Sequence, residues 1–173
     1  IKLLLISAAT TAACANSSVP IEDKSRVILV MGDSISAGYG IQREMGWVSL
    51  LADRLAHNTK NFLVVNASVS GETTAGGRAR LPLALDLHNP EVVIIELGAN
   101  DALRGYPISD IRKNLVFMAK AASAIGADVI IVGMQIPPNY GPRYTGEFRN
   151  VFVKVANTTN TSLVPFLLDG LSF

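Results

Sequence analysis

The sequence predicts an α/β domain, a three-layer sandwich with a five-stranded parallel sheet between two layers of helices. Two observations lead there. Short, β-branched, unbroken apolar runs such as Val27-Ile28-Leu29-Val30 and Val92-Val93-Ile94-Ile95 read as strands buried on both faces. Segments with helical spacing of apolar residues separate them, and strands alternating with helices build a parallel sheet through right-handed crossovers. The 173 residues suffice for one domain with its own core.

In chain order, residues 1–15 place Lys2 before a short apolar stretch and end in Ala13-Cys14-Ala15. This predicts a partial signal peptide cleaved after Ala15, too short to span a membrane, with further residues upstream of Ile1. The expected location is therefore exported, periplasmic or secreted. Cys14 is the single cysteine, so the chain can form no internal disulfide. Its position also allows lipid anchoring as in a bacterial lipoprotein, with possible membrane proximity, although Thr11 stands where such signals usually carry leucine. Residues 16–25 are polar and read as a linker, and 26–173 form the domain.

The first strand is Val27–Val30. A glycine-rich loop, Ala37–Gly40, precedes a helix over Gly46–Leu55, with apolar positions at 47, 48, 50, 51 and 55. Phe62–Ala67 is the second strand, and the helix after it, through Leu87, is weakened by Gly76, Gly77 and Pro82. Glu91–Leu97 is the third strand. The next helix runs over Ile108–Ile125, stopped by Gly126. Asp128–Gly133 is the fourth strand, closed by Pro137-Pro138 and a loop with Tyr140. A helix over Thr145–Asn157 leads to a fifth strand, Ser162–Leu168, in which Pro165 suits an edge.

Fifteen basic and fourteen acidic residues, without runs of like charge, leave no footprint for nucleic acid. A small or apolar substrate remains open, and nothing implies a protein partner.

In the flavodoxin-like order 2-1-3-4-5 the first strand lies between the second and third, so their carboxyl ends, where such sheets bind ligands, meet. Those ends carry Ser34, Gly71 and Asn100. Ser34 in Gly32-Asp33-Ser34 is a candidate nucleophile, although Asp or Ser at a strand-to-helix junction equally suits a helix cap. The G-x-S-x-G elbow does not stand here, because Ser36 takes the second glycine's place. Acyl transfer needs fixed donors about 3 Å from the developing oxyanion. The Ser34 N–H, the Gly71 N–H and the Asn100 amide could supply them. Taken singly, Gly71 reads as a turn residue and Asn100 as a cap.

Three blocks, Gly32–Gly40, Asn66–Thr73 and Leu97–Gly105, make the sequence resemble the SGNH (GDSL-type) hydrolases over roughly residues 26–170, and within them the bacterial lysophospholipase/thioesterase/arylesterase branch. The resemblance implies Ser34 as nucleophile, an oxyanion hole of Ser34, Gly71 and Asn100, and no metal or organic cofactor. Asp33, with Leu103, Ile136, Pro138 and Tyr140 on the loops after the third and fourth strands, is a candidate contact for the acyl substrate. Ordinary packing explains those loop residues equally well.

The resemblance also implies an Asp-x-x-His near the carboxyl terminus that activates the serine. These 173 residues contain none: Arg54 and Leu85 stand three residues before His57 and His88. Both histidines belong in surface loops at the amino ends of strands. The expectation is a C-terminally truncated domain lacking its histidine block. It should be nearly inactive as written, with sheet surface left uncovered at about 25 cal/mol per Å² and solubility impaired. A non-catalytic acyl- or lipid-binding relative is the alternative. A nucleotide-binding domain sharing only the fold would need a glycine-rich phosphate loop after the first strand, and neither G-x-G-x-x-G nor G-x-x-x-x-G-K-[ST] is present.

Overall fold

A computed structural model of the chain describes residues 25–58 and 61–171. The expected signal peptide with Cys14, and all of the expected linker but Ser25, lie outside the described residues. Five parallel strands, β1 (Arg26–Gly32), β2 (Phe62–Asn66), β3 (Val92–Glu96), β4 (Asp128–Val132) and β5 (Ser162–Val164), stand in the order β2-β1-β3-β4-β5, as the sequence predicts.

Alternation along each strand sends its apolar side chains to both faces. Leu29, Met31, Val93, Ile95, Val129 and Ile131 point to one face, against α3 (Thr74–His88), α5 (Ile108–Ala124) and α6 (Pro142–Thr159). Phe148 and Phe152 of α6 meet edge to face there, centroids 5.2 Å apart. Ile28, Val30, Ile94 and Val132 point to the other face, against α2 (Trp47–Asn58) and Leu167. Val64, Val92 and Ile130 on this second face stay half-buried.

Four elements depart from expectation. β5 stops at Val164 rather than Leu168, because Pro165 has no N–H to continue the ladder. The last described helix starts at Pro142, not Thr145, since proline is pre-set for a first helical turn, and it ends on Asn160 at φ 53°. Two short helices also stand where the sequence suggested loops or caps: α1 (Ser34–Ala37) and α4 (Ala99–Leu103).

Candidate active site

Ser34 opens α1 immediately beyond β1. Asp33 caps that turn, its Oδ1 accepting the Ile35 N–H at 2.9 Å, and Gly38 closes it at φ 71°. Asp33 thus takes the cap, and Ser34 stands half-buried beside it.

Bonds between the three strand ends bring the candidate residues together. The chain after β2 continues along β1, with the Val69 N–H donating to the Gly32 carbonyl at 3.0 Å. From the third strand, the Asn100 amide donates to Asp33 Oδ2 at 3.1 Å, one residue from Ser34. The Arg104 guanidinium donates to the Gly71 carbonyl at 3.3 Å through both terminal nitrogens. Gly71 itself sits at φ 79°, a conformation side chains resist, and its N–H takes no partner among the described residues. The second N–H of the Asn100 amide also has no partner among the described residues.

Asp33 does not line the surface as expected. It is 1% exposed, and both carboxylate oxygens turn inward, to the Ile35 N–H and the Asn100 amide. Burial raises its carboxyl above the ordinary range.

Beneath Asp33 lies Glu96, the last residue of β3, fully buried. Its Oε2 accepts the Ser36 hydroxyl at 2.6 Å and the Asp33 N–H at 3.2 Å. The Trp47 indole donates to Ser36 Oγ at 3.1 Å, and Asn66 donates to the Ser36 carbonyl at 2.8 Å. Burial first, then the Asp33 charge, push the Glu96 carboxyl up to about 7. Sequence reasoning missed Glu96, Ser36 and Trp47 as a group. The available signal was one acid inside the apolar run Val92–Leu97.

A second set of ties holds the loop carrying Gly71. Asp101 accepts the Thr74 N–H at 2.8 Å and the Thr74 hydroxyl at 2.6 Å, and Asn114 donates to that hydroxyl at 3.1 Å. Arg80 pairs with Glu72 at 2.7 Å and donates to the Ala67 carbonyl at 3.1 Å.

The expected acyl wall is divided. Ile136 and Pro138 line a cavity of about 510 Å³ with Arg149 and Thr145, between the loop after β4 and α6. Leu103 is not in that lining, but the Tyr140 hydroxyl donates to its carbonyl at 3.0 Å, which joins the two loops. His57 closes the far end of α2, its Nδ1 on the Asp53 carbonyl. That is about 15 Å of helix from Trp47 at the rise of an α-helix. His88 lies beside Val27 and Glu91, at the amino ends of β1 and β3. Neither histidine shares an end of the sheet with Ser34.

A parallel 2-1-3-4-5 sheet with serine, glycine and asparagine at three adjoining strand ends has the fold of an SGNH hydrolase. The chain belongs to the GDSL-like lipase/acylhydrolase family, which it matches over residues 30–172. It is 50% identical over 147 residues to esterase TesA of Pseudomonas aeruginosa, covering 85% of this chain and 73% of that protein. It is 37% identical over 142 residues to thioesterase 1/protease 1/lysophospholipase L1 of Escherichia coli K12, covering 82% and 67%. A crystal structure of TesA superposes with a TM-score of 0.82 at 51% identity, covering 84% of this chain and 81% of the other.

Proposed function

We propose that the protein hydrolyses carboxylic esters and thioesters through an acyl-Ser34 intermediate, with lysophospholipids, aryl esters or acyl-thioesters as substrates. One observation carries the reading: Ser34 opens a helical turn whose neighbour, Asp33, is bonded to the Asn100 amide, while Gly71, from the adjoining strand end, presents an N–H without a partner among the described residues. The Ser34 oxygen attacks the acyl carbon, and the oxyanion that forms is met by the Ser34 N–H, the Gly71 N–H and the second N–H of Asn100. Collapse expels the alcohol or thiol with a proton, and water then cleaves the acyl-serine. These groups require no metal or organic cofactor. Leu103, Ile136, Pro138 and Tyr140 flank the acyl chain.

The proton from Ser34 needs a base, and both histidines of these residues sit at the other end of the sheet. Residues 1–173 acting alone therefore turn over slowly, by analogy with the loss on the order of a millionfold when a serine protease loses its histidine. The second reading is an acyl- or lipid-binding protein without turnover. We also read residues 1–15 as an export signal, with Cys14 as the anchor if the protein is lipidated. The mass of the mature amino terminus from a bacterial host distinguishes these.

The test is labelling with a fluorophosphonate, followed by peptide mass spectrometry, on the 173-residue chain and on a version extended by an Asp-x-x-His block. An adduct on Ser34, faster in the extended chain and absent in Ser34→Ala, together with p-nitrophenyl ester turnover in the extended chain, is the expected result. No adduct on Ser34 in the extended chain overturns the assignment. Saturable fatty-acid binding without turnover there establishes the second reading.

A further inference from the structure

We propose that Glu96 is a positioning residue for acyl transfer: its Oε2 holds the turn that presents Ser34 from both sides, and a hydrogen-bonded chain from that oxygen ends on the single tryptophan, Trp47. The proposal rests on the reading of Ser34 as nucleophile.

A carboxyl at 0% exposure inside an apolar strand loses its hydration and persists only where other groups need it. Those served here are specific. Oε2 accepts from Asp33, one residue before Ser34, and from Ser36, two residues after it. Oε1 has no partner among the described residues, so the carboxyl's whole bonding to protein goes to that turn. Gly32 leaves the room: a Cβ there would stand 2.7 Å from Oε2 and 2.5 Å from both Cβ and Oγ of Ser36. Only a residue without a side chain lets the carboxyl pass beneath the backbone.

The direction of each bond follows from the donors. An indole N–H can only donate, so Ser36 Oγ accepts from Trp47 and sends its own proton to Glu96. Ionised Glu96 accepts both bonds at Oε2, and protonation removes the charge that strengthens them, since hydrogen bonds to an ionised acceptor are about twice as strong as neutral ones. Ionised Glu96 grips the turn, and neutral Glu96 loosens it. The charged group facing Glu96 is Asp33, from the junction of β1 and α1. Ser36 from α1 and Trp47 from α2 are neutral. The carboxyl titrates near neutrality because it is buried beside Asp33.

Trp47 makes the clamp observable without turnover. In the 173-residue chain its emission, followed from pH 5 to pH 9, should titrate with a midpoint near neutrality. Glu96→Gln keeps an acceptor oxygen and removes the charge, and Ser36→Ala breaks the chain; each should abolish the titration, while Asn100→Ala retains it. At pH 8, phosphonylation of Ser34 in the extended chain should slow about tenfold in Glu96→Gln, with the concentration of fluorophosphonate giving half-maximal rate unchanged, as expected when a nucleophile is misplaced. Where Glu96→Gln does not fold, Ser36→Ala carries both readouts. Emission independent of pH in the parent, or a parental labelling rate in both variants, overturns the proposal. Absence of any Ser34 adduct in the extended chain overturns the nucleophile reading beneath it, and is told apart because the emission titration is measured independently.

Discussion

A methyl group at position 32 would meet Ser36 and Glu96 at distances that real Cβ atoms do not reach. Gly32→Ala must therefore push the α1 turn off Glu96 or expel the carboxyl. Overpacking of this kind costs about 1–3 kcal/mol, which a urea midpoint will register, and a change in Trp47 emission should accompany it. The same crowding shows what was legible at this scale. Ser34, Gly71 and Asn100 could be read as a group because each ends a recognisable strand, so topology alone sets them side by side. The bonds of Glu96 to Ser36, 60 residues earlier, and of Ser36 to Trp47 depend on which rotamers the packed core allows, and no local pattern carries that. Asp33 misled for a related reason. A carboxylate beside a nucleophile suggests contact with substrate, but its oxygens turn inward to Ile35 and Asn100.

At the scale of elements, α3 is the instructive case. Its sequence, with Gly76, Gly77 and Pro82, argues for a weak helix, yet it runs unbroken from Thr74 to His88. The glycines are there for packing: a Cβ on Gly77 would strike Leu97, and one on Gly76 would strike the Glu72 side chain that Arg80 holds. The helix start is secured from outside. Thr73 accepts the Gly76 N–H, and the buried Asp101 carboxylate of α4 accepts both donors of Thr74. A negative charge at the positive end of a helix reinforces those bonds. Asp101→Ala leaves two buried donors unmatched and should cost about 3 kcal/mol in denaturant unfolding. Asp101→Asn, which keeps an acceptor, should cost less. Because the same tie fixes the loop of Gly71, Asp101→Ala should also slow phosphonylation of Ser34. Equal stability of the Asp101→Ala and parent proteins would show that α3 needs no anchor from α4.

For the whole molecule, the strand order and the two-faced core followed from periodicity, because buried parallel strands leave an unmistakable apolar run. Its electrostatics did not, because net charge near zero conceals where the acids lie. Among the carboxyls buried at the carboxyl end of the sheet, burial raises Asp33 and Glu96. A carboxyl that holds its proton more tightly when folded than when unfolded makes the folded state bind more protons between the two titrations, so stability falls as pH rises through that window. For Glu96 the window runs from the ordinary 4.5 to about 7. The protein should thus be most stable toward the acid side of neutrality and lose on the order of 3 kcal/mol between pH 4.5 and 7.5 through this group, Asp33 acting in the same direction. Unfolding by urea at a series of pH values measures the slope. Glu96→Gln should flatten it and leave the variant more stable than the parent at pH 8, even as it loosens the Ser34 turn. A parent whose stability instead rises steadily from pH 5 to 8 would mean that Glu96 is ionised throughout that range. Stability lost toward pH 8 is then the cost of holding an ionised carboxylate beneath the nucleophile, and the variant trades that grip for a more stable core.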